Sequence, residues 1–390
     1  MMLSESEIST LRANPPLEPL LQAMKKAPAL ADPSGYIVRV NTAAEFVEAV
    51  DQAKDKSTIL LADGVYKIPR SCVLQANDVT IRSASGQREA VILDGQDCDL
   101  TYTSGLDIVP LLSILKIFGA KNACIADITF KNSDKYGIAF YGDSEVWGLN
   151  IYNVKFHNIW VRGLKGSNQN RIGDSFTNTH SPEKGRAVRP KDGQVKYCLF
   201  INDDPKMEDG IDHINYLAGM DLMGIKDWTI SDNLFIGIRS RVNQGNAGIF
   251  IWQDCERVLI ERNIVINCDQ GINLGNFGHR KLNVDQGIVR DNIIVSHALK
   301  AMEFCNTSNC QAYNNIVYAT NTNFPSVRFL DGATGDHLHH NLIHGTLKME
   351  SPVDNQDNFI GDFSDCFVNP EYGDFMLTEK GHETFGDWTC

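Results

Sequence analysis

Between residues 162 and 191, seven basic side chains, Arg162, Lys165, Arg171, Lys184, Arg186, Arg189 and Lys191, face only two acidic ones, Asp174 and Glu183. A little further on, Asp203, Asp204, Glu208, Asp209 and Asp212 crowd around one lysine, Lys206. Two loops of opposite sign can simply pair with each other. Alternatively, the basic loop receives an anionic polymer while acidic oxygens hold Ca²⁺, a hard cation that prefers oxygen ligands. No EF-hand loop or other fixed calcium motif accompanies them.

An anionic sugar polymer sets definite demands. β-Elimination from a uronic acid requires the C5 carboxylate to be neutralised, a base for the C5 proton and a donor for the leaving oxygen. Lys165 is the candidate base, and Arg189 or Arg239 the candidate carboxylate partner. Arg162, Lys191, Arg241, Trp252 and Arg328 are candidate substrate-binding residues, Trp252 as a platform for a sugar ring. Asp221, Asn273 and Glu303 are candidate Ca²⁺ ligands. Hydrolysis, or epimerisation on the same scaffold, is a competing chemistry. Hydrolysis needs clustered carboxylates, for which Asp221, Asp254 and Glu303 are available, whereas polygalacturonase-like Asn-Thr-Asp and Gly-His-Gly runs are absent. A groove that binds glycan without cleaving it is the third possibility.

Which elements would bring these residues together follows from an internal repeat. An apolar residue, two variable ones, asparagine and an apolar run recur as Ile230-Ser-Asp-Asn233-Leu-Phe-Ile and Ile260-Glu-Arg-Asn263-Ile-Val-Ile. The pattern continues around Asn292, Asn315 and Asn341, at separations of 30, 29, 23 and 26 residues. Ile151-Tyr-Asn153, Ile125-Ala-Asp127 and Lys196-Tyr-Cys198 look like degenerate copies. Short β-branched runs between tight turns, with no helical period, predict an all-β chain: a right-handed parallel β-helix, a solenoid of stacked coils. An inward asparagine at each turn is expected to take the left-handed conformation and to bond to its equivalents above and below. Leucine-rich repeats, which also use an asparagine ladder, need a frame that is missing here.

Alternation within the strand that precedes each asparagine turn places Asp221 and Met223, Phe250 and Trp252, Asn273, Glu303 and Arg328 outward on successive coils. The gap of 45 residues from Asn153 to Cys198, and the next of 35, mark charged insertions at about 162–192 and 202–217. Residues 1–56 read as an N-terminal segment with a helical cap, since Thr42-Ala-Ala-Glu45 is a capping-box pattern. Residues 57–390 read as the solenoid, with its first strand at Ile59–Leu61 and its last residues closing the far end.

The net charge of −13 argues against general nucleic-acid binding. No stretch approaches the ~18 uninterrupted apolar residues of a membrane span. Ten cysteines occur without a CxxC pair; Cys305 and Cys310 could close a small disulfide loop, or all ten could pack as small hydrophobes. The start lacks a basic and apolar leader, as in a cytoplasmic protein or a mature secreted or periplasmic chain; the latter, as a monomer, suits an acidic-polysaccharide partner.

Val38-Arg-Val-Asn-Thr-Ala-Ala-Glu45-Phe46 through Leu61-Ala-Asp-Gly64-Val-Tyr66 resembles the opening of the chondroitinase B and alginate lyase family of β-helix polysaccharide lyases. Over most of the chain the sequence is similar to a broader group of bacterial right-handed β-helix repeat proteins of the pectate lyase-like superfamily. That likeness is carried by Arg88-Glu-Ala-Val-Ile-Leu-Asp-Gly95, Leu164-Lys-Gly-Ser167, Gly219-Met-Asp221, Lys226-Asp-Trp228 and Asn267-Cys-Asp-Gln-Gly271. The lyase resemblance implies a lysine base, an arginine and Ca²⁺ held by asparagine and glutamates. The Asn-Gly-x-Glu-x-Ile-Arg run of that family is missing, and the histidines expected near Met223 and Phe250 in the broader group are absent. These departures imply altered specificity or lost activity.

Overall fold

The computed structural model describes residues 13–386, except 107, 109, 168–187, 204–215, 241–243, 278–281 and 322. The described residues form three long sheets of twelve, eleven and ten strands, parallel throughout. Each coil gives one short strand to each sheet, as in Thr229–Ser231, Leu234–Ile236 and Ala247–Trp252. The chain is thus the right-handed parallel β-helix that the repeat predicts. Arg241 and the greater part of both charged insertions lie outside the described residues.

Asparagine holds one corner of the stack. Asn233, Asn263, Asn292 and Asn315 each donate Nδ2 to the Oδ1 of the next ladder asparagine, at 2.9–3.0 Å. Asn341 donates in the same way to Asn358 at 2.8 Å, so the ladder runs one coil further than the repeat suggested. Each Oδ1 also accepts the backbone N–H of the preceding ladder residue. The left-handed residue is not the ladder asparagine but the one before it: Asp232, Arg262, Asp291, Asn314, His340 and Asp357 have φ between 53° and 59° or, for Arg262, 51°. Asn153 and Asp127 take that left-handed position themselves, at φ 51° and 54°. They stand one place before the ladder, where Val154 and Ile128 are buried instead. Cys198 does occupy the ladder position, and its N–H donates to Asn233 Oδ1.

Inside the solenoid, Phe130, Phe156, Phe200 and Phe235 stack with ring centroids 5.6, 4.6 and 4.4 Å apart. The ten-stranded sheet makes room for them with glycine. A Cβ on Gly163 would come within 2.6 Å of Phe200, and one on Gly219 within 2.6 Å of Phe235. Gly163 explains one correction. Arg162 and Lys165, assigned to an insertion, belong to the regular strand Arg162–Ser167, where the inward glycine breaks the apolar alternation that marks a strand.

The ends also differ from expectation. Strand Tyr36–Val40 precedes Ser57–Leu61 in the twelve-stranded sheet and is its first member. Helix α2 (Ala43–Asp51) caps the first coil, and its Thr42–Glu45 capping box is formed. Helix α1 (Leu17–Ala23) and the segment from Phe363 to Phe385 instead cover the outer, apolar face of the eleven-stranded sheet. Leu20, Phe367 and Phe375 pack there with Ile236, Ile266 and Tyr318. The C-terminal segment therefore covers a flank rather than closing the far end. Nine cysteines, Cys305 and Cys310 among them, are free, and most are buried.

Replacing a ladder asparagine removes an amide that both donates and accepts between coils, leaving buried backbone groups unpaired. Asn292→Ala is expected to destabilise the fold by on the order of 2–4 kcal/mol, measured by thermal or urea unfolding. An unchanged midpoint would show that the ladder is incidental to stability.

Candidate functional site

The in-register ladder of the ten-stranded sheet lines up one column on its outer face. Lys165 pairs with Asp221, Asp221 with Phe250, Phe250 with Asn273, Asn273 with Glu303, and Glu303 with Arg328. Met223 pairs with Trp252 beside it. Apolar residues of the same strands point inward, so these polar side chains have only this face to occupy.

Asp221 is the centre of the column. Its Oδ2 accepts from Lys165 Nζ at 2.7 Å and from Arg162 Nε at 3.1 Å, and its Oδ1 accepts from Trp252 Nε1 at 2.9 Å. The carboxylate is fully buried. Burial alone would raise its pKa, but the adjoining Lys165 and Arg162 charges outweigh that and hold the carboxyl below its ordinary value. Among the described residues, two cations on one carboxylate leave a surplus positive charge. Arg162 Nη2, also buried, has no hydrogen-bond partner among the described residues.

Tyrosines and an aromatic pair border the cluster. The Arg162 guanidinium lies 3.9 Å from the Tyr216 ring centroid, a cation–π contact strengthened by desolvation. Tyr136 pairs with Arg162 across the sheet. Burial, followed by the neighbouring Tyr216 phenol and a hydrogen bond to it, raises Tyr136's pKa and keeps its proton on. Phe250 and Trp252 stack at 5.5 Å with an 8° interplanar angle.

The remaining candidates separate. Arg189 lies on one flank, paired with Glu256 and with Asp254, whose Oδ2 is 3.5 Å from its Nη1. Lys191 stands 4.2 Å over the Trp147 ring on the same flank. Arg239 sits near the corner at Asp269, where its charge acts on the buried carboxyl. Glu303 lies three coils from Asp221, held by Arg328 and by Lys300 at 3.2 Å. Asn273 donates to Gln270 Oε1 at 2.7 Å. Asp221, Asn273 and Glu303 therefore do not form one coordination sphere: Phe250 intervenes, and the two carboxylates already hold cations. Among the described residues, no cluster of three histidine, cysteine or acidic groups is placed to hold a metal.

Sequence reasoning missed Tyr136, Tyr216, Lys300 and Asp269. Tyr136 opens the alternating strand Tyr136–Tyr141 and could have been found from that pattern. Tyr216 and Lys300 sit just outside strands, where periodicity carries no signal.

Asp269 fixes the corner that leads into the face. Its Oδ2 accepts from the Ser240 and Gly245 N–H groups at 2.8 and 2.6 Å, while Oδ1 is buried without a partner among the described residues. Burial pushes the carboxyl up to about 6 despite those hydrogen bonds. With an unfolded value near 3.9, folding takes up a proton here, so stability is lost as pH rises from about 4 to about 6. Asp269→Asn is expected to flatten that loss, worth on the order of 2–3 kcal/mol. Unfolding curves of both proteins across this range check it; parallel pH profiles would refute it.

No family model matches the chain, and no curated protein matches it. Solved structures do. An alginate lyase from Paenibacillus sp. str. FPU-7 superposes with a TM-score of 0.53 at 13% identity, covering 84% of this chain and 99% of that one. A GH136 lacto-N-biosidase from Eubacterium ramulus superposes at 0.51 with 8% identity, over 84% and 68%. PfbA, a surface adhesin of Streptococcus pneumoniae, reaches 0.48 at 13% identity, over 82% and 88%. At these identities the likeness to the alginate lyase and the lacto-N-biosidase is one of fold, and it bears out the expected resemblance to the parallel β-helix proteins.

Proposed function

We propose that the protein is a polysaccharide lyase that cleaves a uronic-acid-containing polymer by β-elimination on the outer face of the ten-stranded sheet. The observation that carries this is the charge surplus at Asp221 among the described residues: two buried cations, one carboxylate and an Arg162 nitrogen without a partner there. A buried positive field of this kind attracts an anion and stabilises negative charge that develops beside it. The substrate carboxylate is drawn toward Arg162 and Lys165, which makes the C5 proton acidic.

The hydrogen-bonded phenols of Tyr136 and Tyr216 supply proton transfer. Tyr216, acting as a phenolate beside the Arg162 charge, takes the C5 proton; Tyr136, held protonated by burial, gives its own to the leaving C4 oxygen, and a proton then passes from Tyr216 to Tyr136 along their hydrogen bond to restore both. The C5–H and C4–O bonds break, a C4=C5 double bond forms, and the two products together account for every atom. Trp252, partly exposed beside Phe250, provides the ring platform. Arg162 here takes the role that the sequence offered to Arg189 or Arg239, and Lys165 serves as a charge partner.

Hydrolysis fits less well. Asp221 and Glu303 are three coils, roughly 14 Å, apart, beyond the ~5–9.5 Å that paired carboxylates use. Asp254 is tied to Arg189 on the flank.

Incubation with alginate, pectate and glycosaminoglycans is expected to yield unsaturated ends that absorb in the ultraviolet. Tyr216→Phe should lower turnover roughly a hundredfold or more while leaving the melting temperature unchanged. Silence across the panel would sink the proposal; reducing ends without absorbance would point to hydrolysis.

A further inference from the structure

The arrangement at Asp221 recurs on the same face. Glu303 is buried and holds Arg328 and Lys300, so again two cations share one carboxylate. Arg328 is partly exposed, with 22% of its side chain open to solvent. Asn273, one coil nearer to Asp221, keeps Oδ1 buried and without a partner among the described residues. Phe250 and Asn273 separate the two clusters, and no charged side chain interrupts the column between them.

Strand spacing sets the scale. Three coils span roughly 14 Å, about the length of three linked pyranose rings. We infer that Lys300, Glu303 and Arg328 form a second carboxylate subsite, so that an extended polyuronate lies along the solenoid axis with one acidic sugar at each cluster. The inference rests on the reading of the Asp221 face as a uronate site and extends it to polymer length and direction. The first cluster takes the reacting sugar. Phe250 and Trp252 support the rings between, Asn273 Oδ1 accepts from a hydroxyl, and the second cluster anchors a sugar about three residues away. The ligand class is a polyanion with a carboxylate on every ring or on a regular spacing; a short uronate reaches one cluster only.

The test is a binding series on the whole protein with oligogalacturonates and oligoalginates, dimers against hexamers, by titration calorimetry. The parent is expected to bind hexamers about tenfold more tightly than dimers. Arg328→Gln leaves Lys300 on Glu303, and Lys300→Met leaves Arg328 there, so neither strands the buried carboxylate. Each should lose roughly three- to tenfold of hexamer affinity with dimer affinity unchanged and an unaltered melting temperature. Equal losses for dimers and hexamers, or no loss in a folded variant, would overturn the second subsite while leaving the first intact. No uronate binding by the parent at any length would overturn both.

Discussion

In a parallel β-helix, the nearest outward neighbours of a side chain are those one coil before and one coil after it, at a fixed ~4.8 Å. Register therefore decides electrostatics. Asp221 cannot be buried on this face unless its column or its own strand's neighbours neutralise it, because an unpaired buried carboxylate costs several kcal/mol. Lys165 below it, Arg162 on the same lower strand and Trp252 on the strand above answer that demand directly. The asparagine ladder matters for the same reason: by fixing each coil against the next, it keeps the column aligned to within a hydrogen bond.

Among the described residues, the end segments pack away from this face. Both fold over the eleven-stranded sheet, whose outer residues are apolar and would otherwise face water. The burial of Leu20, Phe367 and Phe375 there contributes about 2 kcal/mol for each well-buried side chain. Covering one flank with the chain's own ends leaves the ten-stranded face as the surface on which polar groups stand in order. The segment around Leu100 and Tyr102 reaches that face only at its first coils, where Lys116 Nζ donates to both carbonyls. On the proposed reading, the ligand track runs over the coils from Lys165 onward.

Much of this was legible in the chain. The spacing of Asn233, Asn263, Asn292, Asn315 and Asn341 identifies the solenoid, and alternation alone gives the order Asp221, Phe250, Asn273, Glu303, Arg328. Both rest on regularities that a one-dimensional stack cannot avoid. What escaped depends on corners. Arg189 and Arg239 read as groove residues because turn direction leaves no periodic trace. Asn153 read as a ladder member because asparagine suits both the ladder and the left-handed place before it. The strand position of Arg162, which read as part of an insertion, was hidden by Gly163, whose smallness serves Phe200 inside rather than anything outside.

The ratio of charges on the outer face is the feature that packing alone does not account for. Burial of a carboxylate is satisfied by one cation and a neutral donor, and Trp252 already supplies the donor to Asp221. A second cation adds desolvation cost and leaves Arg162 Nη2 without a partner, a state that stability by itself disfavours. The same excess at Glu303, on the same column, is hard to attribute to accident in a chain of net charge −13. Local positive potential set against a negative whole is the arrangement that draws a polyanion to one face and repels it from the rest. Because coil spacing is rigid, the distance between the two excesses is fixed before any ligand arrives. On the proposed reading, selectivity for an anionic polymer lies in its repeat length, which the scaffold measures without moving.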